Sequence, residues 1–407
     1  MFAYGLLLAH NTGQARKSFI VLCQWNMEAA FSVKVLILGT GFAGEGHTDA
    51  FRGAGADVVG MVGRTPHVVK NIAEKLGIPY QGTDWRSALA DCQPDIVSIA
   101  TPGGAHYEPI KQAIEFGCHV FCDKPMTTSG ETALELHELA QRQGVKTAYA
   151  ASFRYTPGVL HAKRLVAEGV IGEPVEVECM SHFNLEKTIP FGWSHRSEDG
   201  GGRLNNNFTH TLSIVSSVIG DRILSILGDV RDDLGKAPRV EGVHNFMERR
   251  KFIPADLNDP TLQWGESNVE WSYTVLARMA SPFAQDPVSV LFKHGGLVPR
   301  FHEDHIVFYG KQGAIYLKGH YGSGELYLCD GKGTWEEMAR PADILASVPH
   351  VEGETEQCWH YLAREFVRDI RGETVEPYPT FREGSQYQQI IDLIRRNDQW
   401  HDVSGLN

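Results

Sequence analysis

The stretch Val35-Leu36-Ile37-Leu38-Gly39-Thr40-Gly41-Phe42-Ala43-Gly44 decides the fold. Four apolar residues in a row suit a strand buried on both faces, and such strands belong to parallel sheets covered by helices. Glycines follow at once in the spacing G-x-G-x-x-G, and a helical pattern opens on them. In that setting Gly39 permits the tight turn, Gly41 lets backbone approach a pyrophosphate, and Gly44 lets helix and strand close together. Phe42 and Ala43 begin the helix, whose N-terminus favours the phosphate charge. The competing reading is a glycine-rich turn with no ligand; placement between strand and helix is what favours a dinucleotide.

Outward from this turn the alternation continues. Apolar runs at 33–38, 58–62, 96–100, 119–122 and 146–150 read as strands, and amphipathic runs at 43–53, 67–76, 105–116 and 130–143 read as helices, each ending near a glycine. This is the βαβ rhythm of a doubly wound parallel sheet, an N-terminal Rossmann domain over 33–155. A helix is expected after Pro157. Beyond Gly172 the pattern changes to alternating strands at 175–181, 270–277, 288–293, 305–308, 314–317 and 325–329, which look antiparallel. Two amphipathic helices at 354–371 and 382–396 would pack back on the sheets. The expectation is an α/β chain, with a second α/β domain over 156–407 built on an open, mainly antiparallel sheet. Residues 1–32 read as an N-terminal extension with little part in the fold, since Met27 lies just ahead of the first strand. The polar stretch 231–266 reads as an irregular excursion.

With 407 residues, 42% hydrophobic and 22% charged, the chain suits two globular domains rather than a disordered or membrane protein. Its formal charge of -12 repels phosphate backbones and anionic bilayers, so neither nucleic acid nor membrane is an expected partner. Seven scattered cysteines without a CxxC pair suit reduced thiols in a cytoplasm. The sequence His302-Glu303-Asp304-His305 superficially offers metal ligands, but histidines three apart on a strand point to opposite faces, so no metal site is expected. No GxSxG or HExxH suggests hydrolase chemistry.

At the end of the second strand, where NAD enzymes usually carry an acid for the ribose hydroxyls, stands Gly63-Arg64-Thr65. An arginine and a hydroxyl there suit a 2′-phosphate, which favours NADP over NAD; the alternative is an arginine stacked on adenine or solvated. Thr101-Pro102-Gly103-Gly104-Ala105-His106 and Asp123-Lys124-Pro125 lie at carboxyl ends of later strands, where doubly wound sheets bind ligands. Thr101, Pro102, His106, Asp123 and Lys124 are therefore candidate cofactor contacts.

These two motifs, with Gly200-Gly201-Gly202-Arg203-Leu204-Asn205-Asn206-Asn207-Phe208-Thr209-His210 downstream, resemble the Gfo/Idh/MocA family of glucose-fructose oxidoreductases and inositol dehydrogenases. The resemblance spans residues 33–394. It implies an NAD(P)-dependent enzyme that oxidises or reduces a carbohydrate, a sugar, inositol or derivative, and a homodimer or homotetramer formed through the C-terminal sheet. The family's Glu-Lys-Pro corresponds to Asp123-Lys124-Pro125, so its catalytic lysine carries over to Lys124, and a cis bond before Pro125 would aim Lys124 into the cleft. The family's Asp-x-Gly-x-His reads Asn206-Asn207-Phe208-Thr209-His210 here. The histidine survives; the aspartate and glycine do not.

That departure bears on chemistry, because losing hydride from an alcohol needs a base for the hydroxyl proton. Asn206 orients but supplies no carboxylate, so His210 is expected to be less basic than beside Asp. Lys124 would then stabilise the developing alkoxide or take the proton itself. Arg154, Tyr155, Trp193 and Arg196 match the family more loosely and are candidate substrate contacts, with core packing and a solvated loop as the alternatives for Trp193 and Arg196. Two other functions fit the resemblance: a glycosidase that keeps NAD bound and acts by transient oxidation and elimination, and a regulatory protein that binds nucleotide without catalysis.

Overall fold

The computed structural model describes residues 32–183, 189–243, 246–298, 304–396 and 401–406. The expected extension before residue 32 and the pair His302-Glu303 lie outside them.

The N-terminal half builds a six-stranded sheet from β1 (Lys34–Leu38), β2 (Asp57–Val62), β3 (Tyr80–Gly82), β4 (Ile96–Ile99), β5 (His119–Cys122) and β6 (Thr147–Tyr149). All neighbours pair parallel in the order β3-β2-β1-β4-β5-β6. The order reverses between β1 and β4, and ligands of doubly wound sheets bind at such a point. Helices α1 (Phe42–Gly53), α2 (Pro66–Leu76), α3 (Trp85–Cys92), α4 (Tyr107–Glu115) and α5 (Gly130–Gln143) connect these strands, and α6 (Pro157–Ala167) follows them. Every residue of β4 is buried, as a strand covered on both faces requires.

The second half carries β7 (Pro174–His182), α7 (Thr209–Ile219), β8 (Arg222–Arg231) and a small two-stranded ribbon of β9 (Lys236–Pro238) and β10 (Trp264–Glu266). It continues with β11 (Ser272–Ala280), β12 (Val288–Gly295), β13 (His305–Gly310), β14 (Ala314–Lys318), β15 (Leu326–Cys329) and β16 (Trp335–Glu337). After α8 (Ala342–Ser347), α9 (Glu354–Ile370) and α10 (Phe381–Arg396), β17 (His401–Asp402) completes a nine-stranded sheet, β16-β15-β14-β13-β7-β12-β11-β8-β17. The antiparallel expectation needs one correction: β12 runs parallel to β7. Along β11, Tyr273, Val275 and Ala277 are buried while Leu276 and Arg278 are exposed, so one face is covered and the other open.

The last two long helices return to the first domain. On α9, Trp359 packs on Phe42 at 5.2 Å and Phe366 lies 6.1 Å from Phe121. On α10, Asp392 accepts the Gly130 amide at 2.7 Å. One apolar core therefore runs through both halves. Phe366 is fully buried in it, and truncation to Ala would cost about 3–5 kcal/mol. Among the described residues no helix is long and apolar enough to cross a membrane, and the six cysteines are unpaired.

Candidate active site

The turn after β1 has the geometry its glycines imply. Gly39 has φ +132°, and a Cβ there would sit 2.4 Å from the Ala100 carbonyl oxygen at the end of β4. A Cβ on Gly44 would sit 2.2 Å from the Gly39 oxygen. Gly41 differs: a Cβ there would meet nothing within 4 Å. Side-chain room is thus absent where strand and helix close and present where a diphosphate would lie. The amides of Phe42, Ala43 and Gly44 are in the first turn of α1, where no intrahelical acceptor exists, and they offer donors to an anion. The Phe42 ring itself packs on Trp359, so its contribution to a cofactor is its backbone. At the end of β2, Arg64 is exposed and Thr65 is the N-terminal cap of α2.

Beyond β4 and β5 two loops are tied together by His106. This residue is fully buried, with Nε2 2.6 Å from the Thr101 carbonyl and Nδ1 3.3 Å from the Met126 carbonyl. It is a correction to the expectation of a cofactor contact: both nitrogens are occupied by backbone, so His106 positions the loops. Thr101 keeps an enclosed Oγ1 without a partner, and Pro102 is exposed beside it. The Asp123 carboxylate accepts the Lys124 amide at 2.8 Å, and the Lys124-Pro125 bond is cis, as the resemblance implied.

Pro125 makes one of the contacts that join the halves. A Cβ on Gly103 would come within 2.7 Å of Pro125 Cγ, and one on Gly200 within 2.8 Å. The downstream glycine run therefore lies directly on the Lys124-Pro125 loop. From there Leu204–Phe208 forms a π-helical turn, a feature frequent at functional sites, which leads into α7 and His210.

His210 is 5% exposed, and its Nδ1 is enclosed without a hydrogen-bond partner. Phe153 and Tyr321 flank it at 4.7 and 5.0 Å. Burial, then the Lys124 charge, then His320 push its pKa well below the ordinary 6.5. The fold thus brings Lys124 and His210 into each other's field from separate domains.

Most of the other candidate residues are engaged within the chain. Asn206 turns its amide back to the Gly202 carbonyl at 2.9 Å, so it braces the π turn. Arg154 forks onto Ser213, with Nε to Oγ at 2.8 Å and Nη2 to the carbonyl at 3.0 Å, which leaves it a brace between β6 and α7. Tyr155 is core: it stacks on Tyr361 at 4.4 Å and is 6% exposed. Arg196 pairs with Asp199, and Trp193 is half-buried in the same loop.

The sequence reading gave no role to a polar network beneath His210. Asn207, fully buried, accepts from Tyr273 and from Ser181 (3.4 Å), and donates to Tyr321 (3.2 Å). Ser181 in turn meets His294 Nδ1 at 2.7 Å. These residues come from β7, β11, β12, the π-helical turn and the turn at His320–Gly322, so no local spacing announces them. From the stretch expected to be an irregular excursion, Arg239 sits 4.5 Å over Phe191 in the loop before the glycine run.

Residues 33–151 match the family described as oxidoreductase family, NAD-binding Rossmann fold, and residues 159–316 match the GFO/IDH/MocA C-terminal domain. The chain belongs to the Gfo/Idh/MocA family. Levoglucosan dehydrogenase of Pseudarthrobacter phenanthrenivorans is 27% identical over 202 residues, 47% of this chain and 52% of that protein. This Gfo/Idh/MocA chain thus matches about half the length of that relative. An NAD binding oxidoreductase from Klebsiella pneumoniae superposes with a TM-score of 0.76 at 22% identity, covering 92% of this chain and 99% of the other. Levoglucosan dehydrogenase in complex with NADH and L-sorbose superposes with a TM-score of 0.75 at 19% identity, over 91% and 99%. At those identities the structures establish the Gfo/Idh/MocA fold.

Proposed function

We propose that this chain is a cytosolic NAD(P)-dependent dehydrogenase or reductase acting on a secondary alcohol or ketone carbon of a sugar, inositol or derivative. One observation carries the reading: Lys124, from the strand-end loop of the dinucleotide domain, lies in the field of His210, whose Nδ1 is unbonded. The relatives named as sugar dehydrogenases support the substrate class.

The residues present fit a nicotinamide dinucleotide. The open side of Gly41 and the first amides of α1 suit its diphosphate, and the unbonded Thr101 Oγ1 offers a further polar contact. When bound, the nicotinamide supplies the hydride acceptor or donor. We assign NADP as the preferred form, because the end of β2 presents exposed Arg64 with Thr65 and no acid. His210 is neutral near pH 7, since burial holds its pKa down, so a ring nitrogen accepts the hydroxyl proton during oxidation. It is a weak base in that setting, but a hydroxyl acidifies as its carbon loses hydride, so a weak base suffices. The Lys124 ammonium faces the alkoxide charge that develops before the proton has moved. In reduction the same groups work in reverse. Oligomerisation through the open face of the nine-stranded sheet, where Leu276 is exposed, belongs to the same proposal.

The test is a screen of sugars, inositols and sugar nucleotides with NAD and NADP, following reduced-nicotinamide absorbance, repeated with Lys124→Ala. Turnover lost with cofactor binding kept is the expected result; unchanged turnover removes Lys124 from the mechanism.

A further inference from the structure

Arg203 stands inside the glycine run, ahead of His210, and is 8% exposed. Its guanidinium lies 4.6 Å from the Trp271 ring centre and 5.6 Å from that of Phe183. The guanidinium makes no hydrogen bond or ion pair among the described residues and its Nη2 is enclosed without a partner, while the Arg203 backbone amide donates to the Glu270 carbonyl at 3.0 Å. Folded interiors rarely hold a guanidinium in that state, because desolvation is uncompensated.

The Glu270 charge reaches Arg203, yet the carboxylates of Glu270 and Asp304 are bonded to other groups. Glu270 is held in a fork by Arg395, at 2.9 and 3.1 Å, and also accepts the Leu204 amide at 2.9 Å. Asp304 accepts the His182 amide at 3.0 Å and faces His320 Nδ1 at 3.2 Å. A second cation, Arg249, adds its field to that of Arg203. Nearby His294 keeps an enclosed Nε2 without a partner. Arg203 Nη2 and His294 Nε2 are thus left without acceptors or donors among the described residues.

Arginine has donors and no acceptor, so only a group bringing oxygen acceptors and negative charge completes it. The planar fork matches a carboxylate through two parallel bonds, and the flanking rings of Trp271 and Phe183 favour a flat group over a tetrahedral phosphate. Tyr321 joins this pocket to the reacting centre: its ring lies 5.0 Å from His210, and its hydroxyl feels the Arg203 charge. Along a helix, residues 203 and 210 are about 10 Å apart, so one small ligand can meet both neighbourhoods.

We propose that the substrate carries a carboxylate received by Arg203, making this chain an oxidoreductase of sugar acids. The proposal rests on the redox reading above and narrows its substrate class.

The test uses the full chain with NADP or NAD and a panel of hexuronates and aldonates beside the matching neutral sugars and hexose 6-phosphates. Binding is followed by melting temperature and turnover by nicotinamide absorbance. The expected result is that one or more acids stabilise the protein and turn over with kcat/KM at least 100-fold above the neutral counterpart. Arg203→Met should abolish that stabilisation and raise KM more than it lowers kcat. Its unliganded melting temperature should equal or exceed the parent's, because an unpaired buried charge is gone. Arg203→Lys, which keeps the charge but not the fork, should restore part of the binding. Preference for neutral sugars or for phosphates, acid binding indifferent to Arg203, or no acid bound at all overturns the proposal. Acid binding that depends on Arg203 without turnover of any compound would uphold the anion site while sinking the redox reading.

Discussion

Lys124 lies close enough to His210 that its ammonium, after burial, is the main influence holding that imidazole neutral. The two residues belong to different domains, and Pro125, next to Lys124, packs against Gly200 of the run that leads to His210. Removing the charge while keeping the side-chain length, as in Lys124→Met, should raise the His210 pKa. A pH titration of the His210 ring resonances reads the shift directly. No upward movement would mean that the ammonium does not act on the imidazole.

The glycine turn separates folding from binding. Gly41→Val should fold with nearly unchanged stability, since its φ of -88° suits any residue and its Cβ meets open space. It should weaken dinucleotide binding at least tenfold by filling the cradle. Gly44→Ala should instead destabilise by about 1–3 kcal/mol, because its methyl would overlap the Gly39 carbonyl. Denaturant midpoints and cofactor titrations on both variants check the split; a Gly41→Val protein with parental cofactor affinity would place the diphosphate elsewhere.

Cofactor choice should depend on Arg64. Arg64→Ala is expected to raise KM for NADP roughly tenfold, the loss of one charge-assisted contact, and to leave KM for NAD within about twofold. Equal effects on both cofactors would assign Arg64 to adenine or to the neighbouring loop.

Buried histidines should make the protein acid-sensitive. Burial holds His47 and His195 down at about 4, and pushes His106, His210 and His294 below their ordinary value of 6.5. Below pH 6.5 the unfolded chain takes up protons that these native residues refuse, so stability falls as pH drops from 6.5 towards 4 and is level in this respect above 7. His47 and His195 would each contribute about 3 kcal/mol to that loss. Urea midpoints across pH 4–8 follow it, and His47→Leu should flatten the slope; a midpoint that does not fall between pH 7 and 5 would contradict the neutral burial of these residues.

Most of the first domain is legible in the sequence because β1, β4 and β5 are mainly apolar runs and the glycines mark the turns. The read bounds of β5 and α5 coincide with the observed ones. Two short elements escaped: β3 has only Tyr80-Gln81-Gly82, and α3 is announced by a single signal, the Asp84 cap accepting the Arg86 amide at 3.0 Å. Strand β8 was not read either, and the parallel pairing of β7 with β12 leaves no trace in an alternating pattern that antiparallel strands share. At the site, Lys124 and His210 stood out through their motifs. Asn207, Ser181, Tyr273, His294 and Tyr321 did not, because their meeting depends on the order of strands in the second sheet. Arg154, Tyr155 and His106 misled for the opposite reason: their positions fit a motif while their polar or aromatic groups are occupied by the protein itself.

The central claim is that Lys124 and His210 serve one reacting centre, and a double-mutant cycle on single-turnover hydride transfer tests it most directly. Lys124→Met and His210→Asn should each slow transfer at least 100-fold, and the double variant should be about as slow as the slower single one, as expected for groups acting as a unit. Losses that multiply independently, or a His210→Asn protein that transfers hydride at the parental rate, would contradict the account.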